Sequence, residues 1–86
     1  MKLEEIVTKL KQMSPDVEIC IGQAHNDKYW LAIEPGWVIE NDHFTSHCGY
    51  GDTVEEAAND YVNFCKGKSF QFEPEEKEPY EVAFSF

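Results

Sequence analysis

The sequence contains no arginine, and seven lysines face 17 aspartates and glutamates. The formal net charge is therefore −10 on a chain of 86 residues. Proteins that bind DNA or RNA neutralise phosphates with lysine and arginine, so this chain is not expected to bind nucleic acid directly. The same charge would attract a basic protein surface, although the simpler interpretation is that it keeps a small protein soluble.

Cysteine is also scarce. Cys20, Cys48 and Cys65 are odd in number and show no C-x-x-C spacing, which argues against a disulfide framework or a zinc knuckle and fits a reducing cytoplasm. No apolar run approaches about 18 residues, and no signal-peptide core follows Lys2, so neither a membrane-spanning segment nor secretion is expected. Nucleotide-binding glycine motifs are missing as well, and no cofactor is predicted.

The chain is predicted to form a single domain, residues 1–86. Its first half predicts a helix and two strands. Apolar residues at helical spacing predict an amphipathic helix over Met1–Met13. Val17–Gln23 alternates like a half-buried antiparallel strand, and Tyr29–Ile33 is apolar on both faces, which is typical of a strand inside a sheet. Pro35–Gly36 suits the centre of a type II turn.

The second half predicts one helix among further strands. Trp37–Glu40 and Phe44–Cys48 form either one interrupted strand or two short ones. A helix is expected over Val54–Lys66, followed by a short strand at Phe70–Phe72 and an alternating tail at Tyr80–Phe86. The predicted order is α-β-β-β-α-β(-β), an α+β fold with an antiparallel sheet of three to five strands.

The stretch Gly49–Ala58 joins the sheet to the second helix. Its glycines permit unusual backbone conformations, and either Asp52 or Thr53 can cap the helix, with Glu56 completing a capping box. The acidic residues at this helix start would oppose a bound anion, so a phosphate loop is not predicted.

The histidines and cysteines are the candidate ligands for a metal ion and the candidate groups for nucleophilic catalysis. His43 and His47, next to Cys48, would lie about 13 Å apart along a strand, so they would not converge on one ion, even with His25 and Cys20 nearby. Cys48 with His47 or His25 is the only nucleophile and base pairing, but adjacent strand residues point to opposite faces. No catalytic or metal-binding residue is predicted, and a small metal-dependent or cysteine-based enzyme remains an alternative.

Exposed aromatics and a charged, proline-bounded loop at residues 73–79 are the candidate contacts for a protein partner, because interfaces are enriched in aromatic residues. The alternating tail either closes the sheet on its own core or pairs with a second chain in a structural homodimer. The predicted partner-binding residues are Trp37, Tyr50, Glu73, Glu75, Glu76, Glu78, Tyr80, Phe84 and Phe86.

From Trp30–Ile33 through Gly51–Ala57 the chain resembles the HicB-like antitoxin family, in which strands lead into a G-D-T-x-E-E-A helix start. The resemblance implies a role in masking a basic, RNA-directed partner. The order of elements also resembles the double-stranded-RNA-binding fold, but the missing basic residues disfavour that activity. Size and charge are typical of phage and prophage accessory proteins. We therefore predict a cytoplasmic, non-enzymatic module, antitoxin-like or inhibitor-like, that binds a basic nucleic-acid-handling protein.

Overall fold

A computed structural model describes residues 1–86 and shows two helices and seven strands. The helices are α1 (Leu3–Met13) and α2 (Val54–Cys65), and the strands are β1 (Glu18–Gln23), β2 (Tyr29–Glu34), β3 (Gly36–Glu40), β4 (His43–Thr45), β5 (Gly49–Gly51), β6 (Ser69–Phe72) and β7 (Tyr80–Ala83). The strands pair antiparallel in two sheets, with the orders β1-β2-β5 and β4-β3-β6-β7. The α+β class and the antiparallel pairing are confirmed.

Helix α1 packs on α2, which supplies the cap that α1 lacks. The N-cap residue, Lys2, makes no side-chain cap. Instead the backbone N–H of Leu3 donates to Oε1 of Glu55 at 2.9 Å. The helix ends at Ser14, which is extended because proline follows. Ile6 and Leu10 are fully buried on the inner face.

The start of α2 follows the predicted capping box. Thr53, and not Asp52, is the N-cap, and its Oγ1 accepts a hydrogen bond from the N–H of Glu56 at 3.1 Å. The Glu56 carboxylate reaches one residue further back than the usual box and accepts from the N–H of Asp52 at 3.0 Å. Two N–H groups at this helix start are thus satisfied by side chains.

Strand β2 lies between β1 and β5, as its two apolar faces predicted. Leu31 and Ile33 are buried on the side that faces α2. On the edge strand β1, however, Ile21 is 48% exposed, although the alternation placed it on the buried face. The reason is that α2 packs over β5 and β2 and does not extend over β1.

The Pro35–Gly36 segment is not a hairpin turn, and the type II prediction was wrong. Pro35 joins β2 to β3, and these strands belong to different sheets. Gly36 has a φ of 145° and pairs with Phe72. A Cβ at Gly36 would lie 1.9 Å from the carbonyl oxygen of Gln71, so only glycine lets β3 approach β6 this closely.

The extended region after Gly36 divides into three strands. Asn41 and Asp42 have φ values of 51° and 65°, the positive pair that a two-residue type I′ hairpin requires. They connect β3 to β4, which resolves the predicted alternatives in favour of two strands. The glycine stretch before α2 contributes a third, β5, which pairs with β2. Both helices and both sheets contribute to one core of 13 buried residues.

Candidate protein-binding surface

The outer face of the four-stranded sheet carries exposed aromatic side chains. Strand residues alternate between two faces, and on β3 the inward Val38 is 1% exposed whereas the neighbouring Trp37 is 41% exposed. On β4, Phe44 is 58% exposed. The inner face is therefore part of the core, while the outer face leaves two large rings open to solvent.

Trp37 and Phe44 are neighbours on this face. Phe44 is the register partner of Ile39, and Trp37 lies two residues before Ile39 on the same strand. Diagonal partners of this kind lie about 7 to 8 Å apart, which is within reach of aromatic side chains. With the half-buried Ile39 between them, the two rings form one apolar patch.

The rest of the outer face is polar or acidic. Trp37 pairs with Gln71 of β6, and Gln71 pairs with the exposed Glu81 of β7. Because adjacent strands lie about 4.8 Å apart, Trp37 and Glu81 are separated by about 10 Å across the sheet. No lysine lies on β3, β4, β6 or β7. The strands of this sheet therefore place a carboxylate, and no lysine, on the same face as the patch.

The acidic loop between β6 and β7 continues this surface at one end of the sheet. Glu73, Glu75, Glu76 and Glu78 are all exposed, and none forms an ion pair within the chain. The loop is tied down at its start, where the N–H of Glu73 donates to the carbonyl of Pro35 at 2.9 Å. That contact brings it beside Gly36, the residue before Trp37. The loop's only lysine, Lys77, pairs with Asp16 at 3.2 Å.

Five predicted contact residues thus lie at the Gly36 end of the four-stranded sheet: Trp37 on its outer face, and Glu73, Glu75, Glu76 and Glu78 in the loop that follows β6. We call these residues, together with Phe44 and Glu81, the aromatic–acidic face. Sequence reasoning missed Phe44 and Glu81. The signal for Phe44 was the Asn41–Asp42 pair, because a two-residue turn there fixes the register that sets Phe44 opposite Ile39.

The other predicted contact residues lie elsewhere. Tyr50 is 55% exposed, but it lies on the three-stranded sheet opposite Trp30. Phe84 is only 7% exposed, which corrects its prediction as a partner contact. The tail leaves β7 at Ala83, and the N–H of Phe84 donates to the carbonyl of Lys68, so the ring turns into the core. Phe86 is half-buried and stacks on Phe84, with ring centroids 6.1 Å apart.

Tyr80 is partly buried, and polar contacts fix its hydroxyl. Its hydroxyl hydrogen-bonds to the Ser14 hydroxyl and to the Asp16 carboxylate. The hydrogen bond from Tyr80, followed by the contacts of Lys77, lowers the pKa of Asp16, while partial burial opposes the shift. Tyr80 therefore ties β7 to the turn after α1.

A cavity of about 180 Å³ lies between β2 and the segment 45–48. Its walls include Trp30, Glu34, Ser46, His47, Cys48 and Tyr61. The His47 ring stacks on Phe64 at 3.5 Å between centroids, and its buried Nε2 has no hydrogen-bond partner. Burial lowers the pKa of His47, so the ring is neutral near pH 7.

Two of the three cysteines, Cys20 and Cys65, have raised pKa values. Burial raises the pKa of Cys65 to about 12, and burial with the nearby Glu34 carboxylate raises that of Cys20. Both side chains are therefore protonated thiols, the less reactive form. His47 stacks on Phe64 and makes no hydrogen bond to Cys48. No group of three or more histidine, cysteine, aspartate or glutamate side chains is arranged to hold a metal ion.

Neither helix has the length and apolar character that a membrane-spanning helix requires. No protein-family model, curated protein or solved structure matches the chain.

Proposed function

We propose that this protein is a small, non-enzymatic binding module that docks onto a protein with a basic surface, in the manner of an antitoxin or an inhibitor. One observation carries the proposal. The unpaired glutamates of the β6–β7 loop lie at the end of the sheet that exposes Trp37, and the one lysine of that loop, Lys77, is paired with Asp16. An aromatic centre with a polar, solvent-accessible rim is typical of protein interfaces.

The distribution of the lysines supports this choice of partner. Lys28, Lys68 and Lys77 are engaged with Asp52, Glu40 and Asp16. Three others, Lys2, Lys9 and Lys11, lie on or next to α1, and the seventh, Lys66, lies at the end of α2 near the β3–β4 turn. The β6–β7 loop therefore contributes four unpaired carboxylates to the aromatic–acidic face against one lysine, which is paired with Asp16. Such a field accelerates association with a basic protein and repels nucleic acid.

A protein that handles nucleic acid is the most suitable basic partner, since the lysines and arginines that bind phosphate also attract carboxylates. This agrees with what the resemblance of Gly51–Ala57 to HicB-like antitoxins implies, and with a phage or prophage accessory role. Three free cysteines suit a cytoplasmic location.

A homodimer through β7 is the second candidate, because β7 lies at an edge of the four-stranded sheet. Two points count against it. The apolar tail residue Phe84 is already buried in the chain's own core. Two copies of charge −10 would also repel each other.

Affinity capture tests the proposal. The protein is immobilised and exposed to a lysate of the cell that encodes it, at about 50 mM salt, where charges at the surface are weakly screened. We expect capture of a net-positive protein, whose affinity, remeasured with the purified partner by calorimetry, falls at least about ten-fold at roughly 300 mM salt. An acidic partner, or an affinity independent of salt, would contradict the proposal.

Two matched double variants test whether the carboxylates of the β6–β7 loop attract the basic partner. Glu75→Gln with Glu76→Gln removes two carboxylates from the aromatic–acidic face, and Glu4→Gln with Glu5→Gln removes two from α1. The loop variant should bind the purified partner several-fold more weakly, and the helix variant should remain close to the wild type. Equal losses would show that only total charge matters and that the partner does not dock beside the loop.

A further inference from the structure

Trp37 and Phe44, the two exposed rings of the aromatic–acidic face, make no cation–π contact within the chain, whereas Phe64 does. Within the chain, the one cation–π contact places Nζ of Lys68 4.3 Å from the centroid of Phe64. Trp37 and Phe44 have no such partner, although both are open to solvent at 41% and 58%. The face therefore offers aromatic surface and carboxylates to a cation from outside.

The geometry favours a guanidinium over an ammonium group. A guanidinium is planar, stacks on aromatic rings and is weakly hydrated, whereas an ammonium is a compact and strongly hydrated charge. A guanidinium that lies on Trp37 also has carboxylates within reach, because Glu81 is two strands away on the same face and the loop begins next to Gly36. Arginine can stack on the ring and bind a carboxylate with its N–H groups at the same time.

We propose that Trp37 and Phe44 seat arginine side chains of the basic partner, and that Glu81 and the β6–β7 loop bind the guanidinium that lies on Trp37. This inference rests on the proposed function and assigns its docking surface and the side chain that it recognises. The occupant is a protein segment that presents arginine.

Other occupants fit the face less well. A second copy of the chain would set two acidic loops and two Glu81 side chains against each other, and the chain has no arginine of its own to offer. Single-stranded nucleic acid could stack bases on the rings, but its phosphates would meet the same carboxylates. Charge complementarity thus selects a basic protein segment.

Two synthetic peptides test the proposal directly. One contains four arginines separated by Gly-Ser pairs, and the other has lysine at the same four positions. Each is titrated into the ¹⁵N-labelled full chain at about 50 mM salt, and amide and indole N–H shifts are followed by NMR. We expect shifts at the Trp37 indole and at β3, β4 and β7, and about two- to five-fold tighter binding of the arginine peptide.

Three single variants locate the seat. Trp37→Leu and Phe44→Leu should each weaken the arginine peptide about two- to five-fold and leave the lysine peptide nearly unchanged. Tyr50→Leu is the matched control, because Tyr50 is 55% exposed but lies on the other sheet, and it should change neither affinity. Circular dichroism and the melting temperature verify that each variant is folded, as expected for side chains that are largely in solvent.

Several results would overturn the inference. Equal affinity for the two peptides would remove the preference for guanidinium, and shifts confined to α1 or to the Tyr50 sheet would move the site. A dimer in sedimentation equilibrium that Trp37→Leu converts to monomer would identify a second copy as the occupant. The captured basic partner could bind Trp37→Leu at full affinity but fail to bind the double variant of Glu75→Gln with Glu76→Gln. In that case the arginine site at Trp37 is wrong, and the proposed function stands. If no basic protein is captured and neither peptide binds, both fail.

Discussion

The Tyr80 hydroxyl joins two parts of the chain that are more than sixty positions apart in sequence. An ionised Asp16 can only accept hydrogen bonds, so Tyr80 donates to it. Because a phenol has one proton, the Ser14 hydroxyl must then donate to the Tyr80 oxygen. Ser14 is 5% exposed, the only buried polar residue, and this chain of donors satisfies it. A side chain predicted to contact a partner is thus a structural tether.

Replacing Tyr80 by phenylalanine tests the tether. Tyr80→Phe removes the hydroxyl and leaves the Ser14 donor without its partner, so the free energy of unfolding should fall by about 1 kcal/mol near neutral pH, as measured by urea denaturation. Tyr29→Phe is the control, since Tyr29 is a half-buried strand tyrosine whose hydroxyl holds no other segment. A Tyr80→Phe protein as stable as the control would show that the hydroxyl does not tether β7.

The same variant should change the response to acid. The pKa of Asp16 is lowered in the folded state, first of all by Tyr80, so ionised Asp16 stabilises the fold above its ordinary pKa of about 3.9. This contribution is lost as the pH falls through the lower folded-state pKa. Without the Tyr80 hydroxyl, the loss of stability below about pH 4 should be shallower than in the wild type.

At the scale of elements, β5 and α2 are in unusually close contact. A Cβ on Gly49 would lie 2.1 Å from the carbonyl oxygen of Ala57 and 2.5 Å from the backbone N of Tyr61. Both are backbone atoms of α2, which cannot rotate away as a side chain can. The stretch predicted as a joint between sheet and helix is therefore also the place where a strand packs directly on the helix backbone.

Gly49→Ala should separate β5 from α2 and lower the free energy of unfolding by about 3 kcal/mol or more. The matched control is Gly67→Ala, where the added Cβ meets nothing within 4 Å but the φ of 74° is unfavourable for alanine. That strain alone costs roughly 1 to 2 kcal/mol. Thermal and urea unfolding of the two variants compares them, and a Gly49→Ala loss no larger than the control's would contradict the tight contact.

Local patterns were sufficient to predict the elements themselves. The helical spacing around Ile6 and Leu10 and the Thr53–Glu56 cap depend on residues within one or two turns, so the sequence indicates both helices. The division into two sheets depends instead on the pairing of β3 with β6. In that pairing Gly36 lies against the carbonyl of Gln71, a residue distant in sequence. The Glu55 cap of Leu3 is likewise invisible to any local pattern, because the two residues are 52 positions apart.

Part of the aromatic–acidic face could also be predicted from local sequence patterns. Exposed glutamates between prolines are evident from composition, and Trp37 was correctly placed among exposed aromatics. Which aromatics share a face depends on strand register. The Phe44 and Ile39 pairing puts Phe44 beside Trp37, whereas the Tyr50 and Trp30 pairing puts Tyr50 on the other sheet. Neither pairing follows from alternation within one strand.

At the scale of the whole molecule, the net charge of −10 acts on a body of 36 × 26 × 25 Å. This net charge already counts all seven lysines, of which three form ion pairs, and the Lys28–Asp52 and Lys77–Asp16 pairs each include a lysine that is about half exposed. Exposed pairs contribute about 0 to 1 kcal/mol each, so they do not compensate for repulsion spread over the surface. Self-repulsion should therefore dominate the electrostatic contribution to stability.

Salt should for this reason stabilise the protein even without a partner. The Debye length is about 30 Å at 0.01 M salt, comparable with the molecule, and about 10 Å at 0.1 M, well below its smallest extent. Raising sodium chloride between these concentrations at neutral pH should increase the melting temperature by about 4 °C, the shift expected for about 1 kcal/mol in a domain of this size. The increase should vanish near the isoelectric point of about 4.5, where the net charge is lost. A melting temperature that falls with salt at neutral pH would show that the ion pairs outweigh the repulsion, and the charge would then not be free to attract a basic partner.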